Sequence, residues 1–181
     1  MNVFLVRHTS VAAPAGLCYG RTEVPLADTF ATEAVAVRAA LPPPPWRLVS
    51  SPAARCRQLA ETLDAPAVVD ERLRELDFGE WENRLWSELP REATEFWLAD
   101  FVHRRPPGGE SFGELAERAS AALADLSREA GGLPLVVVTH AGVIRALLAR
   151  AHGWPLSAAF AAPIPFGSVH RLPLPASDPI P

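Results

Sequence analysis

Two uninterrupted apolar runs predict the central strands of a sheet. Val3–Val6 and Leu135–Val138 each contain four consecutive apolar residues, a pattern typical of strands that are buried on both faces of a parallel sheet. Trp46–Val49 and Ala67–Val69 predict two further short strands, and Phe166–Leu172 predicts a possible edge strand. We therefore expect a sheet whose strands are mostly parallel.

Segments with helix-capping residues and helical periodicity lie between the predicted strands. Ser111 and Glu114 form a capping box ahead of a helix that reaches about Glu129. Ser50-Ser51-Pro52 predicts a helix over Ala53–Leu63, with a serine cap and the proline in the first turn. Further helices are predicted from Asp28 or Thr29 to about Ala40, and over Val143–Ala151. Strands that alternate with helices in this way predict an α/β fold.

Three segments and the C-terminal tail are predicted to be less regular. Thr9–Pro25 contains proline and glycine without periodicity, so we expect a loop across the top of the sheet. Arg72–Glu82 is rich in acidic residues with aromatic residues interleaved, which indicates a packed loop. Residues 85–105 predict one or two short helices, broken near Pro90, that form a lid or a wall of the substrate site. The proline-rich tail at 173–181 is expected to be extended or frayed.

Composition narrows the classes of protein that the sequence fits. A length of 181 residues suits one domain, which we assign to residues 1–181. The net charge of −4 provides no basic field for nucleic acid or an anionic membrane, and no apolar window approaches the roughly 20 residues of a membrane span. Two cysteines make no disulfide framework. We expect a cytoplasmic protein that acts on a small molecule, with a homodimer as an open alternative.

Polar residues follow the predicted strands where ligands of α/β sheets usually bind. Arg7 and His8 come directly after the first strand, His140 follows Leu135–Val138, and Arg55 lies beside a predicted helix start. A single histidine at a strand end is more often structural than catalytic. Together, however, two histidines, two arginines and a carboxylate-rich loop could hold a phosphate dianion while one histidine attacks it.

Five short motifs stand in a recognisable order and spacing along the chain. They are Leu5-Val6-Arg7-His8, Ser50-Ser51-Pro52-Ala53-Ala54-Arg55-Cys56-Arg57-Gln58, Leu73-Arg74-Glu75-Leu76-Asp77-Phe78-Gly79-Glu80-Trp81-Glu82, Gly108-Gly109-Glu110-Ser111 and Val138-Thr139-His140-Ala141-Gly142-Val143-Ile144-Arg145. This set resembles the histidine phosphatase superfamily, also called the phosphoglycerate mutase-like family, from Val3 to Leu148. The resemblance implies a three-layer sandwich, with a mostly parallel central sheet and helices on both faces.

The resemblance also implies a mechanism through a phosphorylated histidine. His8 would be the nucleophile, and Arg7, Arg55 and His140 would form the phosphate pocket, with His140 also counted as catalytic. For His8 to attack, its reacting nitrogen must be unprotonated, and we expect a backbone carbonyl to hold the other ring nitrogen. Arginine forks match phosphate oxygens and meet the charge of phosphoryl transfer. We therefore expect no metal and no cofactor.

One acidic residue is implied to protonate the leaving group. Glu75 occupies the Leu-x-Glu position of the family's acidic segment, so the resemblance implies Glu75 as the proton donor. Composition alone does not choose among the carboxylates of this loop. For Glu80 and Glu82 the favoured interpretation is a solvated face.

Several positions point to one branch of the family or depart from its usual pattern. Thr9, Ala141 and Asn83 stand where glycine is usual, and Pro14 lies near the place of a phosphate-contacting asparagine in many members. Thr9 together with Cys18-Tyr19-Gly20-Arg21-Thr22-Glu23-Val24-Pro25-Leu26 resembles the alpha-ribazole phosphatase branch, which removes a phosphate in assembly of the lower ligand of cobalamin. The resemblance implies substrate binding by Tyr19, Gly20, Arg21 and Thr22.

Other functions remain open on the sequence alone. A broad-specificity histidine phosphatase and a phosphoglycerate mutase-type phosphotransferase would use the same residues, although a chain of this length favours transfer to water. A pseudoenzyme that only binds a phosphorylated ligand is the non-enzymatic alternative. The complete set of implied catalytic and phosphate-binding residues favours turnover over binding.

A few further residues have competing interpretations. His103, Arg104 and Arg105 are candidates for contacting a second anion of the substrate, but a solvated loop is the favoured interpretation. Packed positions are expected for Cys18 and Cys56, and structural or exposed positions for His152 and His170. The spacing of the site residues does not match a zinc site.

Overall fold

Five strands form one mixed sheet in a computed structural model that describes residues 2–63 and 66–173. The strands are β1 (Asn2–Arg7), β2 (Arg47–Ser50), β3 (Ala67–Val69), β4 (Leu135–Thr139) and β5 (Val169–Pro173). Their spatial order is β3-β2-β4-β1-β5, and only β5 pairs antiparallel to its neighbour. The predicted tail lies outside the described residues from position 174 onward.

Helices cover both faces of the sheet, so the predicted three-layer α/β fold is confirmed. The helices are α1 (Phe30–Ala40), α2 (Ala54–Glu61), α3 (Arg91–Leu98), α4 (Phe112–Glu129) and α5 (Ala141–His152). One core joins α1 and α2 to Val6, Val136 and Val138, and a second core joins α4 and α5 to Leu5 and Val137. In the described part of the chain, no helix is both long and apolar enough to cross a membrane.

The strand register brings the ends of three parallel strands together. Arg7 of β1 lies opposite Thr139 of β4, and Ser50 of β2 lies opposite Val138. The next residue of each strand therefore leaves the sheet at the same edge. These three residues are His8, Ser51 and His140.

Helices α4 and α5 begin and end as their sequences indicate. Ser111 accepts a hydrogen bond from the amide of Glu114 and forms the predicted capping box, and the predicted stripe of Leu115, Ala119, Ala122 and Leu126 is buried. Helix α5 begins at Ala141, two residues earlier than predicted, because His140 has the extended backbone of an N-cap. It ends at His152, and the next residue, Gly153, has a φ of 67° that suits glycine.

The start of α2 corrects the predicted serine cap. The helix begins at Ala54, its N-cap residue Ala53 makes no side-chain capping bond, and Pro52 lies before the first turn. The hydroxyl of Ser51 instead lies 2.8 Å from Nε2 of His140. The carboxylate of Glu23 accepts the amide hydrogen of Ala54 at 3.0 Å. A residue distant in sequence therefore caps α2, and the serine is used at the strand edge.

Residues 85–105 contain the predicted helices and the predicted break. A 3-10 helix at Trp86–Glu88 is followed by α3, with Pro90 at the N-cap of α3. The indole of Trp97 is buried and makes ring contacts with Phe78 and Trp86. The segment is therefore anchored to the acidic loop by aromatic packing.

Candidate active site

Two buried histidines face one another at the carboxyl ends of β1 and β4. His8 is 2% exposed and His140 is fully buried, and their ring centroids lie 5.3 Å apart. This separation follows from the register, since the residues that precede them are directly paired. The structure thus brings together the two histidines that the sequence placed at separate strand ends.

The hydrogen bond of His8 fixes which ring nitrogen can react. Its Nδ1 lies 2.8 Å from the backbone oxygen of Thr9. A carbonyl oxygen can only accept, so Nδ1 carries the hydrogen and Nε2 keeps its lone pair. The predicted contact with a backbone carbonyl is confirmed. Burial lowers the pKa of His8 to about 3, with further lowering by the charges of Arg55 and Arg7, so the ring is neutral near neutral pH.

His140 is also neutral, but it carries its hydrogen on the other ring nitrogen than His8 does. Its Nδ1 lies 3.3 Å from Nη2 of Arg55, and Nε2 lies 2.8 Å from the hydroxyl of Ser51. A guanidinium can only donate, so Nδ1 accepts and Nε2 carries the hydrogen. Burial, followed by the charge of Arg55, holds the pKa of His140 well below its usual value. The neutral ring therefore donates its Nε2 hydrogen to the hydroxyl of Ser51.

Arg55 is a buried cation that pairs with no carboxylate of the described residues. Only 1% of the residue is exposed, and no salt bridge joins it to a described residue. Its Nη2 donates to the oxygen of Gly20 at 2.6 Å, its Nη1 donates to the oxygen of Thr22 at 2.9 Å, and its Nε has no partner among the described residues. Because removing a lone charge from water costs several kcal/mol, this arrangement favours binding of an anion.

Arg7 provides a second guanidinium on the same side of His8. Its Nη1 donates to the backbone oxygen of Ile164 at 2.5 Å, and its Cζ lies 3.7 Å from the ring centroid of Phe166. In the described chain, Arg7 Nε and the hydroxyl of Thr9 are also buried without a hydrogen-bond partner. Unpaired donors next to a neutral histidine are what a phosphate oxygen would satisfy.

Glu75 lies across from these groups, against the first turn of α5. Its carboxylate accepts from the amide of Leu76 at 2.9 Å and from the amide of Gly142 at 3.1 Å. A Cβ atom on Gly142 would stand 2.2 Å from Oε1 of Glu75, so only glycine leaves room for this carboxylate. Arg118 donates to the backbone oxygen of Glu75 at 3.1 Å and fixes the segment from the other side.

The four residues of the predicted substrate loop contribute in different ways. Tyr19 lines the cleft, and Gly20 allows close packing because a Cβ there would stand 1.8 Å from the oxygen of Leu76. Arg21 and Thr22 do not line the cleft. The guanidinium of Arg21 pairs with Asp77 at 3.3 Å, so these two residues shape the loop through contacts outside the cleft.

Glu82 corrects the expectation of a solvated face. Its carboxylate accepts hydrogen bonds from the amides of Arg21 at 2.9 Å, Thr22 at 2.6 Å and Phe78 at 3.2 Å, and from the hydroxyl of Thr22. These bonds hold the pKa of Glu82 below its usual value, although partial burial acts in the opposite direction. Glu82 therefore organises the loop that carries Tyr19, whereas Glu80 is exposed as expected.

Arg7, His8, Tyr19, Arg55 and Glu75 line a cleft of about 280 Å³, whereas the fully buried His140 does not line it. Its charged lining consists of Arg7, Arg55, Glu75 and Arg145, and its apolar and aromatic lining includes Leu17, Tyr19, Leu76, Phe78, Trp86, Phe112 and Phe160. Arg145 was not singled out from the sequence, although it closes the second histidine motif. Arg145 lies three residues after Gly142, so the two residues share one face of α5. This is the face that Glu75 contacts.

The remaining candidate residues lie outside the cleft. His103, Arg104 and Arg105 do not line it, which confirms the solvated-loop interpretation, and their polar groups bond to Asp100, the oxygen of Phe96 and Glu114. Cys18 and Cys56 are buried free thiols, and burial raises the pKa of each to about 12. Among the described residues, no group of histidine, cysteine and carboxylate side chains could hold a metal ion.

The structure is an α/β protein with a cleft lined by His8 and three arginines. The family model of the histidine phosphatase superfamily (branch 1) matches residues 3–179. The chain therefore belongs to the histidine phosphatase superfamily, as predicted, and it is a phosphatase whose substrates are small phosphomonoesters.

Individual relatives agree with this assignment and differ in their substrates. An adenosylcobalamin/alpha-ribazole phosphatase of Salmonella typhimurium is 31% identical over 159 residues, covering 83% of this chain and 79% of that protein. A metal-independent phosphoserine phosphatase of Arabidopsis thaliana is 31% identical over 161 residues, covering 82% and 68%. The crystal structure of the alpha-ribazole phosphatase from Shigella flexneri matches with a TM-score of 0.87 at 26% identity, covering 97% of this chain and 92% of that one.

Proposed function

We propose that this phosphatase hydrolyses its substrate through a covalent phosphohistidine on Nε2 of His8. The observation that carries the proposal is the hydrogen bond from Nδ1 of His8 to the oxygen of Thr9. It leaves Nε2 unprotonated and oriented away from that bond, and the low pKa of His8 keeps the ring neutral. An unprotonated nitrogen beside unpaired guanidinium donors is the arrangement that nucleophilic attack on a phosphate requires.

In the first step, Nε2 of His8 forms a bond to phosphorus while the bond from phosphorus to the ester oxygen breaks. The protonated carboxyl of Glu75 gives its hydrogen to the departing alkoxide. Arg7 and Arg55 bind the non-bridging oxygens, whose charge they meet without rearrangement because each guanidinium is already fixed by the fold. His140 acts behind Arg55, since its Nδ1 accepts from Nη2 of Arg55 and its Nε2 bonds to Ser51.

In the second step, water takes the place of the leaving group. The carboxylate of Glu75 accepts a proton from this water as its oxygen bonds to phosphorus. The bond from phosphorus to His8 then breaks and inorganic phosphate is released. His8 returns to its neutral form and Glu75 to its protonated form, so atoms and charges balance over the cycle.

We propose alpha-ribazole phosphate as the substrate. The cleft beyond the arginines is lined by Phe78, Trp86, Phe112 and Phe160, and aromatic side chains favour a flat, apolar leaving group such as a substituted benzimidazole base. The Cys18–Leu26 segment and the alpha-ribazole phosphatases among the relatives support the same choice. The phosphoserine phosphatase among the relatives supports a broader range instead.

A substrate panel tests the proposed function. We expect kcat/KM for alpha-ribazole phosphate to exceed that for small aliphatic phosphomonoesters by about 100-fold or more, in the presence of a chelator. Equal values across the panel would favour the broad-specificity alternative, and interconversion of phosphoglycerates faster than phosphate release would favour a mutase.

Two histidine variants separate catalysis from ligand binding alone. His8→Asn should abolish turnover, while the matched control His103→Asn, which changes a largely exposed histidine outside the cleft, should not alter it. Turnover that persists in His8→Asn would contradict the covalent mechanism. No activity of the unaltered protein on any phosphomonoester would favour the pseudoenzyme.

A further inference from the structure

Glu82 and Arg55 bond to opposite ends of one peptide group. The amide nitrogen of Arg21 donates to Oε1 of Glu82 at 2.9 Å, and the oxygen of Gly20 accepts from Nη2 of Arg55 at 2.6 Å. That nitrogen and that oxygen belong to the same peptide bond, between Gly20 and Arg21. The bond is trans, so its N–H and C=O groups point in opposite directions. A single peptide group therefore lies between a carboxylate and a guanidinium.

A second connection between the same two side chains runs through Thr22. The amide of Thr22 donates to Oε2 of Glu82 at 2.6 Å, and its hydroxyl donates to the same oxygen. The backbone oxygen of Thr22 accepts from Nη1 of Arg55 at 2.9 Å. Each terminal nitrogen of Arg55 thus bonds to a backbone oxygen in a segment that Glu82 holds. A shift of the Glu82 carboxylate would move both of these acceptors.

Close packing leaves this connection little freedom. A Cβ atom on Gly20 would stand 1.8 Å from the oxygen of Leu76 and 3.0 Å from Oε1 of Glu82. The carboxylate is fixed from a further side, because the amide of Phe78 donates to Oε1 at 3.2 Å. The position of Glu82 is therefore transmitted to Arg55 through short contacts.

This arrangement stabilises a buried cation without occupying all of its donors. A carboxylate in direct contact with Arg55 would compete with a phosphate for the guanidinium. Glu82 instead polarises the peptide group between Gly20 and Arg21, since hydrogen bonds in a chain strengthen one another. The Nε of Arg55 has no partner among the described residues, so it stays available to an anion.

We propose that Glu82 is a positioning residue of the phosphate pocket, which holds Arg55 in place through the Gly20–Arg21 peptide group and Thr22. This inference rests on the proposed function, in which Arg55 binds the phosphate. Glu82 does not line the cleft, so it acts on the substrate only through Arg55. The acidic loop then contributes Glu75 to the cleft itself and Glu82 to the support of the pocket.

The affinity for inorganic phosphate tests the proposal without requiring turnover. Glu80→Gln is the matched control for Glu82→Gln, since Glu80 is an exposed glutamate of the same loop that does not line the cleft. Calorimetry should show that phosphate binds Glu82→Gln about tenfold or more weakly than the unaltered protein, as expected when a hydrogen bond to a charged group is misplaced. Glu80→Gln should bind phosphate like the unaltered protein.

The sign of this change separates positioning from simple electrostatics. Removing a nearby negative charge would by itself strengthen the binding of an anion. Weaker binding in Glu82→Gln therefore indicates that Arg55 has lost its position. Equal or tighter binding would overturn the inference.

A double-mutant cycle shows whether Glu82 acts through Arg55. The quantity measured is kcat/KM for p-nitrophenyl phosphate in Glu82→Gln, in Arg55→Lys and in the double variant. Once the guanidinium is absent, Glu82→Gln should reduce kcat/KM by about twofold or less. Losses that multiply in the double variant would mean that the two residues act independently, and they would overturn the inference.

Folding and function are controlled separately. Thermal unfolding shows whether each variant is folded at the assay temperature. If Glu82→Gln does not fold, Glu82→Asp, which keeps the charge but shortens the side chain, should weaken phosphate binding, and an unchanged affinity there would overturn the inference. An unaltered protein that binds phosphate but turns over no phosphomonoester would contradict the proposed function, while the phosphate affinities would still decide the role of Glu82.

Discussion

The carboxylate of Glu75 is held against the backbone of Gly142, whose amide donates to Oε2 over 3.1 Å. The two residues are far apart in sequence, yet Gly142 belongs to the first turn of α5, directly after His140. The amide of Leu76 donates to the other carboxylate oxygen at 2.9 Å. Glu75 is thus fixed relative to both histidines by the helix that follows β4.

Gly142→Ala should displace Glu75 and reduce kcat by about 100-fold, because a misplacement of about 1 Å at a reacting group has effects of that size. The added Cβ would stand 2.2 Å from Oε1. Alanine is the better helix former, so α5 itself should not be weakened. Steady-state kinetics with thermal unfolding as a control checks this prediction, and a kcat within twofold of the unaltered protein would refute it.

Glu75→Gln should separate the two chemical steps. p-Nitrophenolate leaves without a proton, so this variant should still form the phosphoenzyme from p-nitrophenyl phosphate. Hydrolysis of the phosphoenzyme lacks its base and should slow by about 10²–10⁴-fold. Rapid mixing should therefore show a burst of one p-nitrophenolate per protein, followed by slow turnover. Unimpaired steady-state turnover, with aryl or alkyl phosphates, would exclude Glu75 as acid and base.

His8 should make the stability of the protein depend on pH below neutrality. Its pKa is lowered to about 3 in the fold, against about 6.5 in an unfolded chain. Between these two pKa values the unfolded chain binds more protons than the folded protein. The stabilising contribution of His8 is therefore complete above about pH 6.5 and is lost as the pH falls toward 3.

The slope contributed by His8 should approach about 1.4 kcal/mol per pH unit between the two pKa values. Urea unfolding should show that the free energy of unfolding falls more between pH 7 and pH 5 in the unaltered protein than in His8→Asn, which has no titrating ring at position 8. Equal losses in the two proteins would mean that His8 does not titrate as the structure indicates.

The predictable part of the fold came from contiguous patterns. The runs Val3–Val6 and Leu135–Val138 became β1 and β4, and Ser111 with Glu114 formed the capping box of α4. Edge strand β5 was also predicted, but it begins at Val169, since Gly167 has a φ of 67° just before it. Local propensity and burial determine such features, so one sequence is enough to find them.

The parts that the sequence did not reveal depend on contacts between distant segments. Ser51 stands where the sequence predicts a helix cap, but its hydroxyl bonds to His140. The cap of α2 is instead provided by Glu23 from another loop. A glutamate such as Glu82 is usually a solvated surface residue, but here its carboxylate accepts four hydrogen bonds. Arg145 lines the cleft only because α5 docks beside Phe160. Apart from Phe78, which lies four residues before Glu82, these partners are distant in the sequence.

Asn83 should tolerate glycine and reject a β-branched residue. Its φ of 63° is in the left-handed region, where glycine is unstrained and asparagine is tolerated. This conformation explains the asparagine found where glycine is usual. Asn83→Gly should leave the melting temperature unchanged or raised, whereas Asn83→Val should destabilise the fold by about 1–2 kcal/mol. Equal melting temperatures for the two variants would contradict this account.

Trapping the phosphoenzyme tests the central claim most directly. The protein is mixed with a phosphomonoester, quenched with base, and examined by phosphorus NMR and by peptide mapping. Because Nδ1 of His8 bonds to the oxygen of Thr9, we predict a base-stable, acid-labile phosphoryl group on Nε2 of His8. A protein that turns over substrate without this species, or that carries the phosphoryl group on Nδ1 or on another residue, would contradict the account.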